Sequence, residues 1–216
     1  IFYIPLLDVK HYTPERFMKM ILEMFPKLKT IVVGYDFCFG KGRSACGADI
    51  QKWFLGSVKI VEEVKLGDIS IHSRIVRGYL RVGDIKKVNE LLGRNYQVIG
   101  DVIKGQGLGM RKLFPTLNLN IKEHLIPAEG VYATKSTIEG HSYDSVSFIG
   151  HRVSTDGRFA VETHILNEDI DEANRVSIDF IAKIRDNRMF PNIDELKKAI
   201  KQDIHESRKI LKGQNV

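Results

Sequence analysis

The chain has 216 residues, of which 43% are hydrophobic and 28% charged, and its formal net charge is +6 at pH 7. This composition excludes a disordered chain and is sufficient for the packed core of one large domain or of two small ones. The positive charge is suited to an anionic partner, and charge alone does not distinguish a nucleotide from RNA.

The beginning of the chain, IFYIPLL, is a short apolar run that Pro5 interrupts. It lacks the basic stretch and the small-residue cleavage site of a signal peptide, so we interpret it as the middle of a domain. The two cysteines, Cys38 and Cys46, match no CxxC or zinc-finger spacing, which predicts reduced thiols in a cytoplasmic protein. The seven histidines include no HxxxH pair, and we expect no structural metal site.

The first half of the chain has the pattern of an α/β layer. Thr13 and Pro14 begin a helix whose apolar residues we expect in a core, namely Phe17, Met20, Ile21, Met24 and Phe25. The apolar run from Thr30 to Val33 predicts a strand buried on both faces of a parallel sheet. The segment from Asp36 to Arg43 follows the carboxyl end of that strand, where open sheets of this kind place a binding loop.

The elements that follow are shorter. We expect a helix over residues 48–55, a strand over 58–64, a basic amphipathic helix over 70–80 and a helix over 84–92. The buried side of the amphipathic helix is predicted to contain Ile75, Val76, Tyr79 and Leu80. Gly93 is a natural C-terminal stop for the last helix.

From Tyr96 onward the pattern changes to short β runs separated by turns, which is typical of a barrel or a sandwich. The expected strands cover residues 96–104, 131–138, 142–149, 159–166 and 176–184, with a hairpin about Glu139 and Gly140. A final helix begins at a capping box formed by Asn192 and Glu195. Its apolar stripe predicts packing across the barrel and contains Leu196, Ile200, Ile204 and Leu211.

A glycine-rich stretch, GQGLGMRKLFPTLN, runs from Gly105 to Asn118. Gly105, Gly107 and Gly109 leave the backbone free to visit positive φ and to bring N–H groups close to an anion, which predicts a phosphate-binding turn. Alternation then places the oxygens of Thr116 and Asn118 on one face of an extended segment, where they are suitable ligands for Mg²⁺. The alternative is an ordinary glycine-rich hairpin with a polar edge.

Glu162 is a carboxylate in the middle of an otherwise apolar β run, FAVETHIL. Period-two alternation places Glu162 and His164 on one face and Val161, Thr163 and Ile165 on the other. A carboxylate at such a position has either a chemical role, as a general base that accepts a hydroxyl proton, or a structural role in a cross-strand ion pair. We expect His164 to be a residue of the barrel surface.

Taken in order, several segments resemble the bacterial bifunctional riboflavin kinase/FAD synthetase family. The FPTxN motif at Phe114 to Asn118 and the VGxDFxFG block at Val33 to Gly40 carry the resemblance most clearly. The other matching segments are Gly93 to Tyr96, Gly130 to Ala133, Glu162 to Leu166, and Arg185-Asp186 followed by Phe190.

The resemblance implies an α+β protein of two domains. Residues 1–85 would form a partial α/β nucleotidyltransferase domain of Rossmann-like type. Residues 86–216 would form an antiparallel β-barrel riboflavin kinase domain with a C-terminal helix, and the boundary would lie between Gly83 and Gly93.

The resemblance also implies an activity, the ATP-dependent phosphorylation of riboflavin to FMN. The turn at Gly105, Gly107 and Gly109 would hold the ATP phosphates, and Mg²⁺ would bridge them to Thr116 and Asn118. Glu162 would deprotonate the ribityl 5′-hydroxyl of riboflavin. The family's flavin-side segment corresponds here to Arg185 and Phe190.

Adenylylation of FMN to FAD is expected only of a complete polypeptide, because the family's HxGH sequence does not occur in these 216 residues. The residues that match the adenylyltransferase site are Asp36, Phe37, Phe39, Ser73 and Arg77. The alternative for the first three is that both phenylalanines are core residues and Asp36 caps a turn. The glycine-rich loop also departs from the family, with Leu108, Met110, Lys112, Leu113 and Leu117 where Arg, Arg, Leu, Gly and Ala are usual.

Two other interpretations compete with this one. The chain could be a basic β-barrel that binds RNA, although it lacks a regular array of aromatic residues among its Lys and Arg. Its first part could be a docking or regulatory domain. We expect small-molecule partners, namely riboflavin, FMN and ATP, with no nucleic acid and no membrane; the sequence does not determine the oligomeric state.

Overall fold

A computed structural model describes residues 1–103, 114–168, 170 and 173–213 of the chain. The chain folds into two compact units, Ile1–Ser70 and Ile71–Val216. The family boundary that we expect between Gly83 and Gly93 remains a prediction. The compact units divide earlier because the helices at residues 73–82 and 85–92 pack with the second unit.

The first unit contains short helices and three two-stranded sheets. Strand β1 pairs with β4 in parallel, β2 with β3 antiparallel and β5 with β6 antiparallel. Its helices are α1 (Leu6–Val9) and α2 (Pro14–Met24), with 3₁₀ turns at Lys41–Arg43 and Gly47–Lys52. Its strands are β1 (Thr30–Gly34), β2 (Cys38–Phe39), β3 (Ala45–Cys46), β4 (Ser57–Val61), β5 (Lys65–Leu66) and β6 (Ile69–Ser70).

Helix α2 begins as its sequence predicts, because the Thr13 side chain accepts a hydrogen bond from the backbone N–H of Arg16 (3.2 Å). Its buried face differs from the predicted stripe. Met18 is 2% exposed and belongs to the core, whereas Met24 is 43% exposed. The core of this unit consists of Met18, Phe39, Ala45, Ile50 and Phe54.

Strand β1 lies in a parallel sheet, as predicted, but the expectation of burial on both faces is wrong. Ile31 and Val33 pack against the core, and Val32 on the other face is 58% exposed. An apolar run shows that a strand tolerates burial; neighbouring elements decide whether both faces are covered.

The expectation of free thiols is also wrong, since Cys38 and Cys46 form a disulfide. The two residues lie directly opposite each other in the antiparallel pair β2–β3. Their Cα atoms are 4.0 Å apart as a result.

The second unit is a closed six-stranded barrel with helices packed against it. The strands follow one another around the barrel in the order β10-β11-β8-β7-β12-β9, with antiparallel pairing throughout. They are β7 (Tyr96–Ile103), β8 (Leu117–Asn120), β9 (Gly130–Ile138), β10 (His141–His151), β11 (Phe159–Ile165) and β12 (Arg175–Arg185). The helices are α3 (Ser73–Val82), α4 (Ile85–Leu92) and α5 (Ile193–Lys212).

Local sequence signals explain where these elements turn and stop. Glu139 and Gly140 both have positive φ, which suits the tight hairpin that joins β9 to β10. Gly93 ends α4 in the left-handed conformation, and the Asn192 side chain caps α5 by accepting from the Glu195 N–H (2.9 Å). The predicted barrel strands, hairpin and final helix are therefore confirmed.

The barrel has a mixed interior and an apolar outer patch. Inside, Tyr132 and Phe180 meet edge to face, beside five buried hydroxyls of Thr134, Ser136, Ser145, Ser147 and Thr163. Outside, α5 covers a cluster that includes Val131, Ala133, Val146, Ile181, Ile204 and Leu211. Among the described residues, no helix is both long and apolar enough to cross a membrane.

Candidate active site

A row of residues crosses four neighbouring barrel strands on the outer face. In this row Ile103 of β7, Asn118 of β8, Glu162 of β11 and Phe148 of β10 lie directly opposite one another, strand by strand. Residues opposite each other in an antiparallel pair point to the same side of the sheet. Thr163, the next residue of β11, is fully buried among the interior hydroxyls, so Glu162 points outward.

The carboxylate of Glu162 is four-fifths buried and paired with Arg152. Nη1 of Arg152 donates to Oε1 of Glu162 at 3.2 Å. Burial raises the pKa of Glu162 above its ordinary range, and the Arg152 cation offsets part of that increase. The ion pair that the sequence left open as a structural role is therefore present. The role of Glu162 as a general base remains a prediction, and a raised pKa is compatible with it.

Asn118 lies on the same face as Glu162, and Thr116 directly precedes β8. The Nδ1 of His164 donates to the Pro115 carbonyl oxygen at 2.7 Å, and its ring lies 5.5 Å from that of Phe114. These contacts hold the segment before β8 beside β11, which explains the surface role expected of His164. The Asn118 amide lies opposite the Glu162 carboxylate, and the Thr116 hydroxyl is two residues away in sequence. These are hard oxygen donors of the kind that Mg²⁺ prefers, so the chemistry of the residues present fits that ion.

A cleft of about 400 Å³ opens beside this row. Its described lining comes from the ends of β7, β8 and β11 and from the turn before β11, and includes Asn118, Asn120, Arg152, Arg158 and Phe159. The other described residues of the lining are apolar, among them Ile103, Ile121 and Ile126. An apolar wall with two amides and two guanidinium groups is suited to a ligand that has both an apolar and an anionic part.

Arg185, the last residue of β12, lies close to Phe190 in the segment that follows. Arg185 donates from Nε and Nη2 to both carboxylate oxygens of Asp203 on α5 (2.8 and 2.7 Å). Its guanidinium carbon is also 5.3 Å from the centre of the Phe190 ring. Nη1 of Arg185 also donates to the Asp186 carbonyl oxygen (3.1 Å), so all three guanidinium nitrogens have partners within the protein. A contact of Arg185 with a flavin remains a prediction.

The Phe190 segment is tied to the turn that carries Arg152. The backbone N–H of Phe190 donates to Oγ of Ser154 at 2.9 Å. Close by, Glu129 accepts from the backbone and ring nitrogens of His151 and from the Asn187 side chain (3.1, 2.8 and 2.9 Å). These hydrogen bonds, from Asn187 first, lower the pKa of Glu129 below its ordinary value. They fix the loops on both sides of the site.

The other predicted site residues are distributed as follows. Gly105, Gly107 and Gly109 lie outside the described residues. In the first unit, Phe37 and Phe39 stack with ring centres 5.7 Å apart and Phe39 is a core residue, while the Asp36 carbonyl accepts from Arg43. On α3, Ser73 and Arg77 are exposed while Val76 and Leu80 on the other side are buried.

Sequence reasoning missed Arg152 and Asp156. They are four residues apart in the turn between β10 and β11, and Arg152 contacts both Asp156 and Glu162. The available signal was an Arg and an Asp in a short connection that immediately precedes the strand of the candidate base.

Most of the chain is similar in sequence to known proteins. The family model described as riboflavin kinase matches residues 92–211, which include Asn118, Arg152 and Glu162. The chain is 32% identical over 184 residues to the bifunctional riboflavin kinase/FMN adenylyltransferase of Pseudomonas fluorescens, covering 82% of this chain and 58% of that protein. It is 31% identical over 195 residues to the enzyme of the same description from Haemophilus influenzae, covering 87% and 63%.

A solved structure is also similar. The crystal structure of a protein described as a macrolide-efflux protein from Streptococcus pneumoniae superposes with a TM-score of 0.80 at 28% identity, covering 92% of this chain and 66% of that chain. The chain thus spans 58% and 63% of the lengths of the two curated relatives. These similarities lend no support to the RNA-binding alternative.

Proposed function

The chain belongs to the riboflavin kinase family, and we propose on that premise that its barrel transfers the γ-phosphoryl group of ATP to the ribityl 5′-hydroxyl of riboflavin. The products are FMN and ADP. The observation that carries the proposal is the position of Glu162, a largely buried carboxylate with a raised pKa, directly opposite Asn118 on the matched domain.

Glu162 acts as the general base in this reaction. Its carboxylate takes the proton of the 5′-hydroxyl as that oxygen forms a bond to the γ-phosphorus, and the bond to the ADP oxygen breaks. Because phosphoryl transfer depends mainly on positioning and charge neutralisation, the base contributes most by orienting the attacking hydroxyl.

Thr116 and Asn118 would hold Mg²⁺. When bound, the ion neutralises charge on the ATP phosphates. Two observations support this assignment: Asn118 pairs directly opposite Glu162, and the hydrogen bond from His164 to the Pro115 carbonyl holds the residue before Thr116 beside β11. Gly105, Gly107 and Gly109 are proposed to hold the phosphates themselves.

The flavin is proposed to lie on the side of Phe190. The ring of Phe190 has the guanidinium groups of Arg185 and Arg188 at 5.3 and 4.9 Å from its centre, which provides an aromatic and cationic surface. The Ser154–Phe190 hydrogen bond supports this placement because it connects that surface to the turn beside Glu162.

Adenylylation of FMN to FAD is proposed only for a longer polypeptide. Asp36, Phe37, Phe39, Ser73 and Arg77 are then remnants of the adenylyltransferase site. The chain corresponds to 58% and 63% of the lengths of its two bifunctional relatives.

The test is to incubate the chain with riboflavin, ATP and Mg²⁺ and to separate the flavins by chromatography. We expect FMN, one ADP for each FMN formed, and no FAD. Production of FAD would contradict the restriction on adenylylation. If no FMN forms while the barrel melts cooperatively, the proposed kinase activity is wrong, and RNA binding would then be measured at two salt concentrations.

A further inference from the structure

We propose that Arg152 is a positioning residue for phosphoryl transfer, holding one oxygen of the Glu162 carboxylate so that the other is left for the substrate hydroxyl. The inference rests on the proposed function of Glu162 as base. Arg152 lies in the turn between β10 and β11 and is not one of the four strand residues of the row described above.

The geometry of the guanidinium group carries the inference. Arg152 donates from Nη1 to Oε1 of Glu162 (3.2 Å) and from Nη2 to Oδ2 of Asp156 (3.2 Å). Its Nε lies 3.1 Å from Oδ1 of Asp156 and makes no hydrogen bond within the described part of the chain. The side chains of Arg152, Glu162 and Asp156 are only 19%, 20% and 21% exposed. Arg152 is therefore a bridge with both ends occupied, and its cation is held in one orientation.

Backbone hydrogen bonds fix the position of Arg152 in its turn. The N–H of Arg152 donates to the Arg158 carbonyl (2.9 Å), and the carbonyl of Arg152 accepts from the N–H groups of Thr155 and Gly157 (2.9 and 3.1 Å). The N–H of Arg158 in turn donates to Oδ1 of Asp156 (3.2 Å). A turn closed by four hydrogen bonds places the guanidinium beside β11 with little freedom to move.

The second carboxylate oxygen of Glu162 remains for the substrate. Within the described part of the chain no hydrogen bond reaches Oε2, while Oε1 is engaged by Arg152. The charged groups around Glu162 in that part are Arg152, Asp156 and, beyond Asp156, Arg158. The imidazole of His164 lies further along the same strand face. Arg152 is the cation in contact with the carboxylate, so it orients the base and offsets part of the rise in its pKa.

Arg152 also connects the base to the flavin side. Ser154, two residues further along the same turn, accepts from the Phe190 N–H (2.9 Å). A ligand that packs against Phe190 would thereby be held in a fixed relation to the turn and to the Glu162 carboxylate. This connection predicts that loss of Arg152 lowers kcat more than it raises KM for riboflavin.

The test compares Arg152→Gln, Arg152→Lys and Asp156→Asn, with Arg175→Gln as the control at an exposed arginine of β12. We expect kcat to fall about 10- to 100-fold in Arg152→Gln, with partial recovery in Arg152→Lys, because one charge-assisted hydrogen bond is lost and the lysine restores only its charge. The control should keep its rate. Unchanged kcat in Arg152→Gln would overturn the proposal.

A second readout separates positioning from a merely structural role. The Glu162 carboxyl is titrated by ¹³C NMR, with Glu162→Gln used to assign its signal. Because the Arg152 cation lowers this pKa and the Asp156 anion raises it, Arg152→Gln should move the pKa upward and Asp156→Asn downward. Equal pKa values in all three proteins would contradict the inference. If wild type makes no FMN, the proposed function fails separately, while the titration still decides whether Arg152 controls this carboxyl. Should Arg152→Gln not fold, Asp156→Asn and Arg152→Lys provide the same comparison.

Discussion

Asn118 and Glu162 lie directly opposite each other in the antiparallel pair of β8 and β11. This places an amide oxygen and a carboxylate on one outward face of the barrel. The carboxylate is partly desolvated, so protonation changes its interactions more than it would in water. The first two predictions follow from this arrangement.

Substitution Glu162→Gln should lower kcat for FMN formation about 10²- to 10⁴-fold, because the amide keeps the shape of the side chain and cannot accept the hydroxyl proton. Glu168→Gln, at an exposed glutamate in the loop after β11, is the control and should retain its rate. The measurement is FMN formation at saturating ATP. A rate near that of wild type would exclude Glu162 as the base.

The pH dependence of the reaction should report the raised pKa of Glu162. The active form is the deprotonated carboxylate, so kcat/KM should fall as the pH decreases through a pKa above the ordinary value of 4.5. Stability should change in the opposite sense, since a raised pKa means that the folded state binds the proton more tightly. This contribution is fully present at low pH and is lost as the pH rises through the folded-state pKa.

Glu162→Gln removes that titration and provides the check. Wild type should lose stability relative to the variant as the pH rises from 4 to 7. The melting temperature of the variant minus that of wild type should therefore increase, with most of the change near the midpoint of the activity profile. A difference that is constant with pH would contradict a raised pKa at this position.

The local pattern of β11 was sufficient to predict the face of Glu162, because alternation along a strand is a property of the backbone itself. The hairpin at Glu139 and Gly140 and the cap at Asn192 were predictable for the same reason: each depends on a few adjacent residues. The ion-pair partner of Glu162, Arg152, was not predictable from the alternation of residues along the strand. The position of Arg152 depends on hydrogen bonds that close the turn at residues 152–158, and no periodicity describes such a turn.

Errors in the first unit have a related origin. The apolar run of β1 indicated that burial is possible, yet Val32 is exposed because coverage depends on elements distant in sequence. In α2 the predicted stripe omitted Met18, which is buried, and included Met24, which is exposed. Apolar residues occur on more than one side of this helix, so the sequence alone does not determine which side is buried. The pairing of Cys38 with Cys46 required the register of β2 and β3, which the sequence spacing does not encode.

Substitution Thr116→Ala should raise the Mg²⁺ concentration needed for half-maximal activity by about tenfold, because one neutral oxygen donor is lost. Thr137→Ala, at a half-buried threonine on β9, is the matched control. The measurement is FMN formation as a function of free Mg²⁺ at fixed ATP. The same Mg²⁺ dependence in both variants would remove Thr116 from the proposed ion site.

The Arg185–Asp203 ion pair should anchor α5 to the barrel. Asp203 retains 6% of its side-chain exposure and receives two hydrogen bonds from Arg185. Asp203→Asn leaves a charged guanidinium without its anion, and we expect a loss of about 3 kcal/mol in the free energy of unfolding, the lower end for buried pairs since Arg185 is partly exposed.

Two variants test this assignment by urea denaturation. Glu206→Gln, on the same helix in a more exposed pair with Lys209, should cost less than about 1 kcal/mol. The double variant Arg185→Met/Asp203→Leu should recover most of the loss, because neither charge then remains unpaired. A double variant as unstable as Asp203→Asn would indicate that the ion pair is not the origin of the effect.

The hydroxyls inside the barrel should contribute to stability and leave catalysis unchanged. Oγ1 of Thr134 is 2.8 Å from Oγ of both Ser145 and Ser147, and Ser145 and Ser147 also contact Ser136 and Thr163. Thr134→Val keeps the side-chain shape and removes the central partner, so we expect a loss of about 1 to 3 kcal/mol in the free energy of unfolding. Since these hydroxyls face away from Glu162, kcat below the melting transition should equal that of wild type. Thr137→Val, on the outward face of β9, should lower the free energy of unfolding by less. Equal losses in the two variants would show that the interior hydroxyl network does not stabilise the barrel more than an outward threonine does.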